Sequence, residues 1–355
     1  MPTAIRNFQS WLIIGLLFVA GCGGSDNTAS NPTIKKEGGQ AGRRPRIVTT
    51  VGMVTDIVRE VAGDRCEVIG LLSEGVDPHL YKPTREDVNQ LDDAKTDIIF
   101  YSGLMLEGRM EESLKKIRQK GKTVVAVSEA LDPATLRKPP EFEGHFDPHV
   151  WMDVTLWSQC MEFATKSLCE FDPDHAATYV ARADLYKSRL SQLHAYVGTS
   201  IASIPEQQRV LVTAHDAFGY FARAYGMEVK SVQGISTESE AGVADVNALV
   251  DFLVERKIVA IFVESSVSDQ SLRAVIEGAG KRGWKVKVGG ELFSDAMGRA
   301  GTYEGTYVGM IDHNATTITR ALGGQVPDGG FRSTQQGGLR IEPDAATDGA
   351  AKDEK

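Results

Sequence analysis

Apolar residues return every three or four positions between residues 173 and 205, at Tyr179, Ala183, Tyr186, Leu190, Leu193, Val197, Ile201 and Ile204. That spacing lays them along one face of a helix. Asp172 stands where an N-cap is expected, Pro173 suits the first turn, and Pro205 cannot continue a helix because it lacks an N–H. The pattern predicts one helix over 173–205, roughly 45 Å long at 1.5 Å per residue. An element of that length outreaches a small domain, so it is expected to be a rigid spine joining two lobes.

On either side of the spine the pattern changes period. Short β-branched runs at 46–51, 67–72, 98–101 and 123–127 alternate with helical stretches at 54–62, 84–91 and 106–119. Beyond the spine the alternation resumes, with strands at 209–213, 228–232, 258–263 and 284–288 and helices at 217–225, 243–255, 268–278 and 307–322. Strands alternating with helices imply parallel sheets covered by helices. The fold class is therefore α/β: two lobes of one architecture, 46–172 and 206–323, joined by one long helix.

The ends read differently. Residues 1–21 carry one charge, Arg6, followed by an apolar run from Trp11 to Ala20 that is too short to span a bilayer of ~30 Å. They are expected to be an export signal. The signal closes on Val19-Ala20-Gly21-Cys22, which resembles the lipobox of bacterial lipoproteins. On that resemblance Cys22 is the site of lipid attachment, and the protein is exported and anchored to a membrane, facing the periplasm or the cell exterior. Residues 22–45 hold little that can be buried and are expected to be a flexible tether. Residues 324–355 are similarly poor in large apolar side chains and are expected to be a disordered tail.

Charge and cysteine content narrow the function. The net charge of -9 offers no basic surface for a phosphate backbone, which argues against a nucleic-acid partner. Besides Cys22 the chain has Cys66, Cys160 and Cys169 and no CxxC pair, so neither a thiolate zinc site nor a redox motif is expected. Cys160 and Cys169, nine apart on a helix, face opposite ways and cannot bridge within it.

Ligands of open parallel sheets gather on the loops after the carboxyl ends of the strands. Three of the seven histidines lie on such loops: His79 after the strand at 67–72, His149 ahead of the helix near Asp153, and His215 after the strand ending at Thr213. His79 and His149 close the same triplet, Asp-Pro-His, whose proline stiffens the backbone presenting the imidazole. A pre-set imidazole suits a divalent transition metal. His175, His194 and His313 lie on helices and read as structural, and His145 reads as a solvated loop residue. A carboxylate from the second lobe would complete four-coordination. Glu264, Asp269, Glu291 and Asp295 all follow strands, and spacing does not choose among them.

Several segments together are similar to the cluster A-I solute-binding proteins that serve zinc and manganese ABC importers. They are Asp77-Pro78-His79 with Tyr81, Pro83 and Thr84; the run from Asp147 to Asp153; the run from Thr213 to Gly226; Gln233 to Thr237; and Leu292-Phe293-Ser294-Asp295. The likeness covers residues 46–323. It implies two α/β lobes on a single linking helix, with one metal ion held between them by His79, His149, His215 and Asp295. It further implies a monomer that delivers its ion to a membrane permease driven by an ATPase. Some manganese-selective members have glutamate at the place of His215, and many zinc specialists carry a histidine-rich loop that the single His145 does not supply. Three imidazoles and one carboxylate favour Zn²⁺ over Mn²⁺ on intrinsic affinity.

Two other functional classes fit less well. A metal-dependent hydrolase needs an open coordination position and a general base, and the chain contains no HExxH, Gly-x-Ser-x-Gly or Walker segment. A surface adhesin with a structural metal site fits the anchor but does not call for the histidine set.

Overall fold

The computed structural model describes residues 43–142 and 144–334. The expected signal at 1–21, the lipid attachment site Cys22, most of the tether and residues 335–355 of the tail lie outside the described residues.

The first lobe is built on a four-stranded parallel sheet of β1 (Arg46–Thr49), β2 (Glu67–Gly70), β3 (Thr96–Tyr101) and β4 (Thr123–Ala126), in the order β2-β1-β3-β4. In β3 the consecutive residues Ile98, Ile99 and Phe100 are all buried, as expected of an inner strand covered on both faces. Helices α1 (Gly52–Ala62), α2 (Arg85–Asp92) and α3 (Glu111–Gln119) alternate with the strands, and α4 (Val154–Phe171) leads to the spine. A reciprocal pair of bonds between Thr84 and Asp87 caps the start of α2.

The spine is α5 (Ala176–Ala202), 27 residues and about 40 Å long. All eight apolar residues identified from the periodicity are buried, seven along it and Ile204 just past its end. Its start differs from expectation. Pro173–His175 forms a 3-10 turn, and Asp172 makes no backbone cap; its carboxylate instead accepts from Arg65 and the Tyr179 hydroxyl and pairs with His175. A stronger charged partner has taken the carboxylate away from the helix end. α5 packs against α1, α4 and α9 (Tyr307–Ala321), so one continuous core runs from the first lobe through the spine.

The second lobe contains β5 (Val210–Thr213) paired with β6 (Glu228–Ser231), and β7 (Ala260–Glu264) paired with β8 (Lys287–Leu292), both parallel. The halves therefore share a βα plan, but the second is assembled from two strand pairs rather than one ladder. Helices α6 (Gly219–Tyr225), α7 (Val243–Glu255) and α8 (Gln270–Lys281) complete it.

Four expectations need correction. The helix expected over 106–119 begins only at Glu111, because the buried Glu107 carboxylate accepts from Ser102 N, Gly103 N and Thr50 Oγ1 and holds the preceding residues as a loop. The last strand starts at Lys287 rather than 284, since Trp284 turns its indole N–H to Ile258 O. The glycine pair Gly289-Gly290 hid the strand from propensity, yet a Cβ at Gly289 would stand 2.7 Å from the Phe262 ring. The tether ends earlier than residue 45: Arg43 bonds both oxygens of Asp97, and Pro45 is buried beside the sheet. Finally, residues 324–334 are not a disordered tail. They include α10 (Gly330–Thr334), with Phe331 only 3% exposed, held because Asp312 accepts from the Phe331 and Arg332 backbone N–H groups.

Candidate metal centre

Each of the four side chains singled out by sequence is delivered by a fixed turn. Asp77 Oδ1 accepts from the backbone N–H of His79, and Asp147 Oδ1 does the same for His149. The repeated triplet is thus two copies of one turn, fixed by the aspartate as well as by the proline. His149 then opens a 3-10 turn, and Asp153 caps α4 by accepting from Thr155 N. His215 follows β5, where the Thr213 hydroxyl donates to its carbonyl and its own N–H donates to Glu264. Asp295 lies past β8 on a loop pinned from both sides: Asn314 exchanges two bonds with Phe293, and the Trp151 indole donates to Ser294 O.

These turns bring His79, His149, His215 and Asp295 together, with one donor atom from each lying within 4.8 Å of all the others. His79 is 4% exposed, Asp295 1%, and the other two are fully buried. The Nε2 atoms of His79 and His149 are 3.3 Å apart, His149 Nε2 is 3.3 Å from Asp295 Oδ1, and His215 Nε2 is 3.2 Å from Asp295 Oδ2. His79 Nε2 is 3.7 Å from Asp295 Oδ2. A tetrahedral zinc with bonds near 2.0–2.1 Å has donor-to-donor edges of about 3.3 Å. Three of these separations match that edge and the fourth is slightly longer. Apart from these contacts with one another, His215 Nε2 and both Asp295 oxygens are buried without a hydrogen-bond partner among the described residues, a costly arrangement for polar atoms that a cation would satisfy.

The imidazoles are not equivalent. His149 Nδ1 lies 2.8 Å from Asp147 Oδ1, and His215 Nδ1 lies 2.6 Å from Glu264 Oε2. Each carboxylate holds the Nδ1 proton and so leaves Nε2 free to act as a donor atom. Asp147 is itself buried and paired with Arg137, whose backbone N–H donates to the Tyr220 hydroxyl. A Cβ at Gly219 would overlap the Arg137 guanidinium, so a larger residue there would displace Arg137 from Asp147. Among the described residues His79 has no such carboxylate: its aspartate, Asp77, accepts instead from the Thr237 hydroxyl of the second lobe at 2.6 Å.

The charges follow this asymmetry. Burial pushes the His79 imidazole down to about 3 despite the attraction of Asp295. Burial opposes charge at His149 as well, yet the Asp295 and Asp147 carboxylates bring it up to about 9. At His215 burial is likewise overcome by Glu264 and Asp295, and the group sits well above its ordinary value. Burial would raise Asp295, but His215 and His149 hold its carboxyl well below the usual range. A cleft of about 460 Å³, lined by Asp56, Arg59, Glu74 and Arg299 among others, reaches Asp295 from the side of α1.

The other candidates fall elsewhere. Glu264 is not at the centre but behind His215, Asp269 pairs with Arg273, and Glu291 is exposed. His175 pairs with Asp172, His194 meets the Tyr225 hydroxyl, His313 meets Glu291 O, and His145 is an exposed neighbour of Phe142. Sequence reasoning missed the supporting roles of Glu264, Arg137 and Thr237. Only the aspartates of the repeated triplet carried a local signal.

Residues 47–321 match the family described as zinc-uptake complex component A, periplasmic. The chain belongs to this family. Relatives include the zinc-binding protein TroA of Treponema pallidum (strain Nichols), 49% identical over 279 residues, which span 79% of this chain and 89% of TroA. The manganese-binding lipoprotein MntA of Bacillus subtilis (strain 168) is 46% identical over 286 residues, 80% of this chain and 92% of MntA. The solved structure of the periplasmic zinc-binding protein TroA superposes with a TM-score of 0.76 at 47% identity, covering 79% of this chain and 99% of that one. Members of the zinc-uptake component A family are metal-binding transport proteins, and the α/β fold with its long helix is theirs.

Proposed function

We propose that this protein captures one divalent transition-metal ion, zinc or manganese, outside the cytoplasm and delivers it to the permease of an ABC importer. The ion is cargo, and its ligands are His79, His149, His215 and Asp295. The observation that carries this reading is the buried cluster of four donors within 4.8 Å of one another, three of whose separations match the edge of a zinc-centred tetrahedron. The kinship to TroA and MntA supports both zinc and manganese as cargo. Three nitrogens and one carboxylate give zinc the higher intrinsic affinity.

Binding is a substitution of a cation for protons. With Nδ1 of His149 and His215 tied to carboxylates, the ion displaces the proton at each Nε2 and satisfies the orphaned oxygens of Asp295. A transport role is favoured over hydrolysis because four protein donors leave no coordination position for water. The adjacent carboxylates Asp147 and Glu264 are also engaged with imidazoles rather than free to act as a base.

The reading further includes an export signal at 1–21, a lipid anchor at Cys22, a monomeric working state, and an ATPase that drives the partner permease. Replacing His79, His149, His215 or Asp295 singly by alanine is expected to lower zinc affinity by orders of magnitude while the apo protein stays folded. Wild-type affinity in His215→Ala would refute the site. Labelling with radioactive palmitate tests the anchor: label on the wild type and none on Cys22→Ser is expected.

A further inference from the structure

The two copies of the Asp-Pro-His turn spend their aspartates differently. Asp147 uses Oδ1 for the His149 backbone N–H and ring Nδ1, and Oδ2 for Arg137. Asp77 uses Oδ1 for the His79 backbone N–H at 2.9 Å, and Oδ2 for the Thr237 hydroxyl at 2.6 Å. Thr237 belongs to the other lobe, on the loop between β6 and α7, and is 6% exposed. One carboxylate therefore joins the backbone of a metal-site histidine to the opposite half of the protein. Next to it, Glu238 of the same loop pairs with Arg109 of the first lobe at 3.0 Å. That pair is partly exposed, with side chains 33% and 53% accessible, so it adds little by itself. The Thr237 bond is shorter, partly buried and ends on a carboxylate, the kind of bond that is strong.

Among the described residues His79 is also the imidazole with no carboxylate behind its ring, so it is the donor held least firmly by its own lobe. Its position over the ion depends on the turn at Asp77, and the turn is tied down from across the cleft. We propose that Thr237 is a positioning residue for ion release: its hydroxyl clasps Asp77, keeps His79 against the cation, and sets how long the ion is retained. Release begins when the loop between β6 and α7 lifts and frees Asp77, which lets His79 swing out while His149 and His215 stay braced. The clasp rests on the metal-site reading above and adds to it a determinant outside the four donors.

The test is the rate at which zinc-loaded protein surrenders its ion to excess chromophoric chelator, under conditions where the rate no longer depends on chelator concentration. Thr237→Val keeps the shape and removes the donor; dissociation is expected to quicken about tenfold, the loss of one hydrogen bond to a partly buried carboxylate, with association nearly unchanged. Thr237→Ser, which restores the hydroxyl, is expected to return the rate to within about threefold of wild type. The absorption bands of the cobalt-substituted site should be the same in all three, since the four donors are untouched. Equal dissociation from wild type and Thr237→Val overturns the clasp, as does a serine variant as fast as valine. Should the valine variant not fold, Thr237→Ala takes its place: faster release supports the clasp, and release at the wild-type rate overturns it. Wild-type protein that takes up no zinc or manganese would sink the functional reading itself, and the clasp with it.

Discussion

Glu264→Gln removes one charge from a fully enclosed pair and leaves the four donors in place. In the wild type Glu264 accepts twice from one residue, at Oε1 from the His215 backbone N–H (2.9 Å) and at Oε2 from its ring Nδ1 (2.6 Å). Glutamine has one acceptor and one donor where glutamate has two acceptors. If its oxygen faces the backbone N–H, its amide donates to Nδ1 and drives the ring proton to Nε2, the atom that must bind the ion. If the amide is turned round, two N–H groups confront each other in a buried site. Either way a charge-assisted bond worth roughly 1.5–3 kcal/mol is lost or inverted. At 1.4 kcal/mol per factor of ten that is about a 10- to 100-fold weaker site, the range typical of partners that orient metal-bound histidines. The assay is competitive titration of zinc against a chromophoric chelator, with circular dichroism and thermal unfolding as controls for folding. Affinity within about twofold of wild type in a folded variant would show that Glu264 does not set the His215 tautomer, and the electrostatic account of the site would fail.

Three further outcomes follow from the same geometry. Because His149 is raised to about 9 and His215 is also raised, protons compete with the ion at Nε2 below those values, so zinc affinity should climb with pH across the neutral range by one to two decades per unit, roughly one for each proton displaced; a flat profile refutes this. Phe331→Ala should destabilise the protein by about 3 kcal/mol in chemical denaturation without altering zinc affinity, because Phe331 is buried against Tyr196 while lying outside the metal site; an unchanged midpoint would show that α10 does not dock in solution. Small-angle scattering should give nearly the same radius for apo and zinc-loaded protein, because α5 is packed along its length and resists a hinge; a closure of several ångströms would contradict the spine.

The linear order of residues settled those features that depend on neighbours in the chain. The apolar face of α5 repeats with the helical period, so its seven buried apolar residues, and Ile204 just beyond them, could be read directly. The β-branched runs of the first lobe became strands nearly where expected, and the paired triplets marked His79 and His149 because a turn is a local object. Tertiary structure decided whatever depends on a distant partner. Glu107 shortened α3 by drawing backbone N–H groups to a buried carboxylate, and Asp312 ordered a segment whose composition suggests none. Residue spacing left Glu264 and Asp295 as equal candidates; only the family likeness chose between them. In space one stands at the centre and the other behind His215, because Glu264 is the last residue of β7 while Asp295 lies on the loop three residues past the end of β8. The bond from Thr237 to Asp77 spans 160 positions and has no trace in either local sequence, since a hydroxyl and a carboxylate acquire that role only when two lobes fold against each other.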